Sequence, residues 1–218
     1  MRIHAYRETY LRKAMINLGD MFDCAVGEFG IGGREFSEMF SISSISKRLE
    51  KGEPKLLMGM SGTELAIEVI KETTGLIPEI DDIRQFSRTS DYWVGWAVCY
   101  YQWLRNISYA DIFTVTNYDE LLSLYKTLHE ADISKFAEVM DSIRVERRPE
   151  TNLKRIRSSY GVSQSELARD SGVSLRSIQM YEQRNKDINK SQSETIWNLA
   201  SVLGCRMEDL LEPEWAMQ

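Results

Sequence analysis

Apolar and polar positions alternate along this chain with a helical period almost throughout. From Ala5 to Phe22, apolar side chains fall at Tyr10, Ala14, Leu18 and Met21, a spacing of three to four that predicts an amphipathic helix. Four glycines between Gly27 and Gly33 interrupt it. The period resumes over Phe36–Leu49 and again over Thr63–Lys71, where Ser61 or Thr63 is placed to cap the first turn. Thr73–Ser90, with Gly75 and Pro78, predicts a loop containing a short helix. Tyr92–Leu104 carries Trp93, Trp96, Tyr100, Tyr101 and Trp103 around nearly all its faces, the mark of a central buried helix. Two amphipathic helices follow, Asp119–His129 with the stripe Leu121, Leu124, Tyr125 and Leu128, and Ser134–Ile143 with Phe136, Val139, Met140 and Ile143. Ile112–Thr116 is the one short β-branched run, so the expected fold class is all-α.

The helical pattern stops near Val145, and Glu146-Arg147-Arg148-Pro149-Glu150 is charged and carries a proline that disfavours helix before it. The expected organisation is a helical domain over 1–146, a linker over 147–151, a second domain over 152–212 and a tail over 213–218. The second domain reads as five short helices. Leu153–Tyr160 turns Leu153, Ile156 and Tyr160 inward, and Gly161 stops it. Ser163 caps the next helix, with Glu166 completing a capping box and Leu167 and Ala168 facing the core. Ser171-Gly172-Val173 forms a turn in which the glycine takes a left-handed conformation and Val173 fills the angle between helices. Ser174 caps a third helix, Leu175–Arg184, with Ile178 and Tyr181 inward. After a polar connector come Gln192–Leu203, ended by Gly204, and a last short helix, Met207–Leu211.

Charge changes the picture. The chain is acidic overall, at −6. Residues 1–146 hold 16 Lys and Arg against 23 Asp and Glu, whereas 152–190 hold 8 against 4. Only a locally positive segment gains affinity from neutralising phosphates, so this is the pattern of a basic reader joined to an acidic domain with another task. Cys24, Cys99 and Cys205 are isolated and odd in number, which suits reduced thiols, and His4 and His129 are too few for a Cys/His zinc site. Met1–Tyr10 has no apolar stretch of the kind a signal peptide needs, and Tyr92–Leu104 falls short of the ~20 residues that cross a bilayer. A cytoplasmic protein without a membrane segment is expected.

Catalytic motifs are lacking. Gly27–Gly33 matches neither GxGxxG nor GxxxxGK[ST]. Gly59-Met60-Ser61-Gly62-Thr63 lacks the last glycine of GxSxG, and a helix cap accounts for Ser61 better. The aromatic run at Tyr92–Trp103 has core spacing rather than that of a ligand cage or base-stacking platform. No catalytic residue, metal or cofactor is expected, and an enzyme in 1–146 would require a pocket with convergent polar groups.

Ser163-Gln164-Ser165-Glu166-Leu167-Ala168, Ser171-Gly172-Val173-Ser174, Ser177-Ile178-x-x-Tyr181-Glu182, Leu199-Ala200 and Leu203-Gly204 together resemble an XRE-type, lambda-repressor-like helix-turn-helix domain over 152–212. The resemblance implies a sequence-specific transcriptional regulator whose third helix reads the major groove of double-stranded DNA. It implies that Arg157 pairs with Glu182 as a structural tie, and that Gln164, at a helix N-terminus, binds backbone phosphate. The sequence departs from the family in the connector Gln183–Lys190, which is longer and lacks the glycine that usually follows the Glu and a basic residue. Residues 1–146 are also similar to uncharacterised proteins of intestinal Firmicutes that carry this tail, some encoded beside toxin-like genes, through Gly59–Leu65 and Tyr92–Ala97.

On the exposed face of the third helix, Arg176 suits guanine O6/N7 and Gln179 suits adenine N6/N7, each worth ~1–3 kcal/mol of discrimination. Leu175 and Met180 flank them and suit thymine methyls. Phosphate contacts are expected from Ser163, Gln164, Ser174, Ser177, Arg184, Asn185, Lys186 and Lys190, with Ser174 also explained as a cap. One such domain reads a half-site, so a homodimer is expected. The alternative is an antitoxin-like protein whose N-terminal domain binds a co-encoded protein partner while the C-terminal domain autoregulates the operon.

Overall fold

In the computed structural model of the protein, which describes residues 4–78, 88–147 and 150–212, every regular element is helical. The first helix, α1 (Glu8–Gly27), starts later and runs further than its apolar period suggests. Gly27 fits its last turn, and the left-handed residue of the loop beyond is Gly30 (φ 65°). One expected helix over Phe36–Leu49 is two, α2 (Gly33–Ile42) and α3 (Ser44–Glu50). Ser43 makes the break: its Oγ donates to the Phe40 carbonyl (2.8 Å) and accepts from the Ser46 N–H (3.2 Å). A hydroxyl that closes one helix and caps the next does not disturb the hydrophobic period.

A short helix that periodicity does not predict, α4 (Pro54–Met58), starts on a proline in its first turn. Ser61 and Glu64 form a full capping box on α5 (Gly62–Thr74), which ends at left-handed Gly75. Of the loop expected over Thr73–Ser90, residues 79–87 lie outside the described residues. Then come α6 (Ser90–Arg105), α7 (Tyr109–Val115), α8 (Tyr118–Leu128) and α9 (Ile133–Glu146). The β-branched run at Ile112–Thr116 is mostly helix α7, because Ser108 caps it and Ile112 is fully buried.

The chain divides into two units, Met1–Arg147 and Arg148–Gln218. In the first, α1 is the central helix and lies against α5 and α6. Glycines allow the approach: a methyl at Gly95 of α6 would stand 2.4 Å from the Leu18 carbonyl oxygen. At Gly62 of α5 it would stand 2.6 Å from the Asn17 carbonyl oxygen. Buried Asn17 donates to the carbonyls of Leu57 (3.2 Å) and Met60 (2.8 Å), tying α1 to the segment that ends at the Ser61 cap. Around this seam Phe22 meets Phe36 edge-on, and Trp93 meets Phe136. Asp141 of α9 accepts from Tyr101 (2.9 Å) and Arg105 of α6, and Arg144 donates to Tyr101 (3.1 Å).

The second unit contains α10 (Asn152–Ser159), α11 (Gln164–Ser171), α12 (Leu175–Glu182) and α13 (Ser193–Leu203), with 3-10 turns at Ile188–Lys190 and Met207–Leu210. Leu153, Ile156, Leu167, Ile178, Tyr181, Leu199 and Leu203 form its core. The structure corrects the sequence reading in four places. Tyr160 falls on the C-cap of α10 and is exposed rather than inward. The third helix ends at Glu182, the last is a 3-10 turn, and the polar connector sends Ile188 into the core. Arg148 and Pro149 of the expected linker and the expected tail 213–218 lie outside the described residues.

Candidate nucleic-acid interface

The second unit is built around one exposed helix face. Ser163 and Glu166 form a reciprocal capping box that starts α11, its two hydrogen bonds 3.1 and 2.8 Å long. The helix ends on left-handed Gly172 (φ 70°). Ser174 then accepts from the Ser177 N–H (3.1 Å) to start α12, and the two serine hydroxyls lie 2.9 Å apart. Ala168 and Val173, half-buried against the core, set the angle of the turn. Ile178 and Tyr181 anchor α12 from beneath.

With those residues inward, Arg176, Gln179 and Met180 share the opposite side at i, i+3 and i+4. Arg176 is exposed, Gln179 and Met180 are half-buried, and Leu175 stands 38% exposed at the start of the helix. Exposed Gln183 continues the same face and was not among the residues expected from sequence. Its position seven residues after Arg176 was the available signal.

Below the face, Arg157 of α10 grips Glu182 at the end of α12. Its Nε donates to Oε1 (2.6 Å) and its Nη2 to Oε2 (3.0 Å), a fork-to-fork pair whose carboxylate side chain is 2% exposed. The third guanidinium nitrogen donates to the Val162 carbonyl (2.7 Å). This partner holds Arg157 even more firmly protonated than a free arginine, chiefly through the Glu182 hydrogen bonds. Gln164 Nε2 donates to the same Glu182 Oε2 (2.7 Å). One carboxylate thus joins α10, α11 and α12.

The residues expected at phosphates have varied surroundings. The Ser163, Ser174 and Ser177 hydroxyls serve the caps, and the Gln164 amide is on Glu182. Exposed Asn185 donates to Gln183 (3.1 Å), Lys186 extends over the Tyr181 ring (5.1 Å to its centre), and exposed Lys190 pairs with Asp187 (3.1 Å). Arg184 differs from these: its guanidinium turns inward to Glu212 (3.1 Å) and its side chain is 15% exposed.

Arg184 also explains how the chain leaves α12 without a glycine. Its N–H bonds the Tyr181 carbonyl (3.0 Å), and the Asn185 N–H bonds the Met180 carbonyl (2.9 Å). That paired closure requires a left-handed residue, and Arg184 supplies it at φ 58°. For a residue with a Cβ the conformation costs roughly 1–2 kcal/mol.

Residues 153–210 match the family model Helix-turn-helix. The second unit therefore carries a helix-turn-helix domain, the kind found in DNA-binding transcription regulators. No curated protein and no solved structure matches the chain. Residues 4–147 fall outside the helix-turn-helix match, and the resemblance of Gly59–Leu65 and Tyr92–Ala97 to Firmicutes proteins gains no support from these comparisons. In the structure those stretches are the Ser61 cap with the Gly62 contact and the buried α6 with the Gly95 contact. Among the described residues, no helix is long and apolar enough to cross a membrane, and no group of three or more His, Cys, Asp or Glu is placed to hold a metal ion.

Proposed function

We propose that this protein is a sequence-specific transcriptional regulator that lays α12 in the major groove and acts as a homodimer on paired half-sites. The observation that carries the reading is a polar face, Arg176 and Gln179, on a short helix fixed from behind by Arg157, Glu182 and Gln164. A rigid helix with free polar ends outward is what direct readout needs. Arg176 reads a guanine, Gln179 an adenine, and Leu175 and Met180 meet thymine methyls. The N-terminus of α11, with Ser163 and Gln164, faces phosphate together with Ser174, Ser177, Asn185, Lys186 and Lys190. Arg184 is assigned a positioning role instead, because its guanidinium is occupied by Glu212.

The test is a binding titration of the full chain against the DNA upstream of its own gene, at several salt concentrations. Expected is saturable, sequence-preferring binding that weakens with salt, with a log–log slope of about −0.9 per phosphate neutralised. Arg176→Ala should reduce the preference at one base-pair position, by about 1–3 kcal/mol of discrimination, and leave affinity for random DNA nearly unchanged. Binding that ignores sequence in the native chain would overturn the reading.

A second reading rests on the separate unit Met1–Arg147, which has its own core and most of the negative charge. In it, that unit binds a co-encoded protein and the helix-turn-helix domain represses the shared operon. Co-purification of the two gene products in a defined complex would favour it over a regulator that acts alone.

A further inference from the structure

Among the described residues of the second unit, three of the four α-helices end on a left-handed glycine: α10 on Gly161, α11 on Gly172 and α13 on Gly204. The fourth, α12, ends on left-handed Arg184. It is the helix that carries the candidate reading face.

What surrounds Arg184 is a built structure. Glu212 is buried, its side chain 4% exposed, and its Oε2 accepts from Arg184 Nη2 (3.1 Å). Its other carboxylate oxygen accepts from the backbone N–H of Asn152 (2.5 Å), the first residue of α10. The Glu212 backbone pairs on both sides with the Asn189 side-chain amide, N–H to Oδ1 at 2.9 Å and Nδ2 to carbonyl at 2.7 Å. Asn152 Nδ2 completes the ring by donating to the Leu211 carbonyl (2.6 Å). The Glu212 side chain therefore joins two places far apart in sequence: the start of the domain, directly after the linker, and the exit of α12.

We infer that Glu212 is a positioning residue for DNA reading. It holds Arg184 in the left-handed conformation that a glycine adopts freely, and so fixes the end of α12 and the path of Asn185 and Lys186. Because the same carboxylate holds the Asn152 N–H, displacement of the chain at the start of α10 is felt at the reading helix through one side chain. A glycine at 184 would close the helix equally well but would remove this connection. The inference rests on the reading of α12 as the DNA-contacting helix, since buried Glu212 touches no nucleic acid itself.

The experiment uses the full chain and two substitutions, Glu212→Gln and Arg184→Gly, alone and together. Gln keeps an oxygen for the Asn152 N–H but loses the charge that holds the guanidinium. Two readouts are taken: affinity for the upstream DNA by fluorescence anisotropy, and amide hydrogen exchange at Asn185 and Lys186, whose N–H groups bond the Met180 carbonyl. Expected for Glu212→Gln is an affinity loss of about tenfold and a similar loss of protection at those two amides, with the α11 amides unchanged. In the Arg184→Gly background, adding Glu212→Gln should change affinity less than about twofold, because a glycine needs no clasp. A general loss of stability would not be cancelled in this way.

Unchanged exchange at Asn185 and Lys186 in Glu212→Gln would overturn the inference, as would an undiminished affinity loss in the glycine background. If the native chain binds no DNA, the functional reading fails, and the positioning role fails with it. The exchange measurement then still decides whether the clasp itself exists. Should Glu212→Gln not fold, Glu212→Asp replaces it, shortening the reach to Arg184 with the same expectations.

Discussion

Arg157→Ala would test how α12, the proposed reading helix, is braced. The substitution deletes three hydrogen bonds, two to Glu182 and one to the Val162 carbonyl, and leaves a carboxylate that is 2% exposed facing a void. Breaking a buried pair by removing one partner costs ~3–5 kcal/mol, far more than an exposed pair. One effect brings the value toward the lower end: Gln164 still donates to Glu182 Oε2. We therefore expect about 3 kcal/mol, a large fraction of the ~3–9 kcal/mol expected for a unit of this size.

In a Glu182→Gln background, where no charge is stranded, the deficit of Arg157→Ala should shrink by about 1–2 kcal/mol. The assay is urea unfolding of the full chain followed by far-UV circular dichroism, with amide exchange assigning the lost transition to residues 150–212. A deficit below ~0.5 kcal/mol, far under the cost of breaking a buried pair, would refute the argument that Arg157 braces Glu182.

Other expectations concern the first unit. Gly95→Ala places a methyl 2.4 Å from the Leu18 carbonyl oxygen, a backbone obstacle, and should cost ~1–3 kcal/mol or more, seen as a lower thermal midpoint. Gly27→Ala, with nothing within 4 Å of the added carbon, is the control and should be neutral or stabilising by up to ~1 kcal/mol. Burial pushes the Cys24 and Cys99 thiols up to about 11, and both are buried. Titration of the native protein with a disulfide reagent at pH 8 should therefore modify only Cys205 readily, and all three thiols after denaturation.

Much of the second unit was legible because its signals are local. Capping residues at Ser163 and Ser174, glycines at 161, 172 and 204, and a stripe of core residues each act within a few positions of where they stand. The surroundings of Arg184 were hidden for the opposite reason: its partner Glu212 stands 28 residues on and leaves no local signal. Ile188 was hidden in a polar connector, since one buried residue has no period. In the first unit the helices were visible but their ends were not. Ser43 divides a continuous hydrophobic pattern by hydrogen bonds alone. The run at Ile112 favoured strand by composition, yet a serine cap and a buried isoleucine made it helix.

The glycine contacts on α1 also limit how the first unit can move. With Gly62 against the Asn17 carbonyl on one side and Gly95 against the Leu18 carbonyl on another, α1 fits its neighbours like a keyed shaft. Turning it by one residue, or sliding it by 1.5 Å, drives a side chain into space that holds only a hydrogen atom. Helices α1, α5 and α6 must therefore shift together as a rigid block. A partner or signal that moves any one of these three helices therefore moves all three.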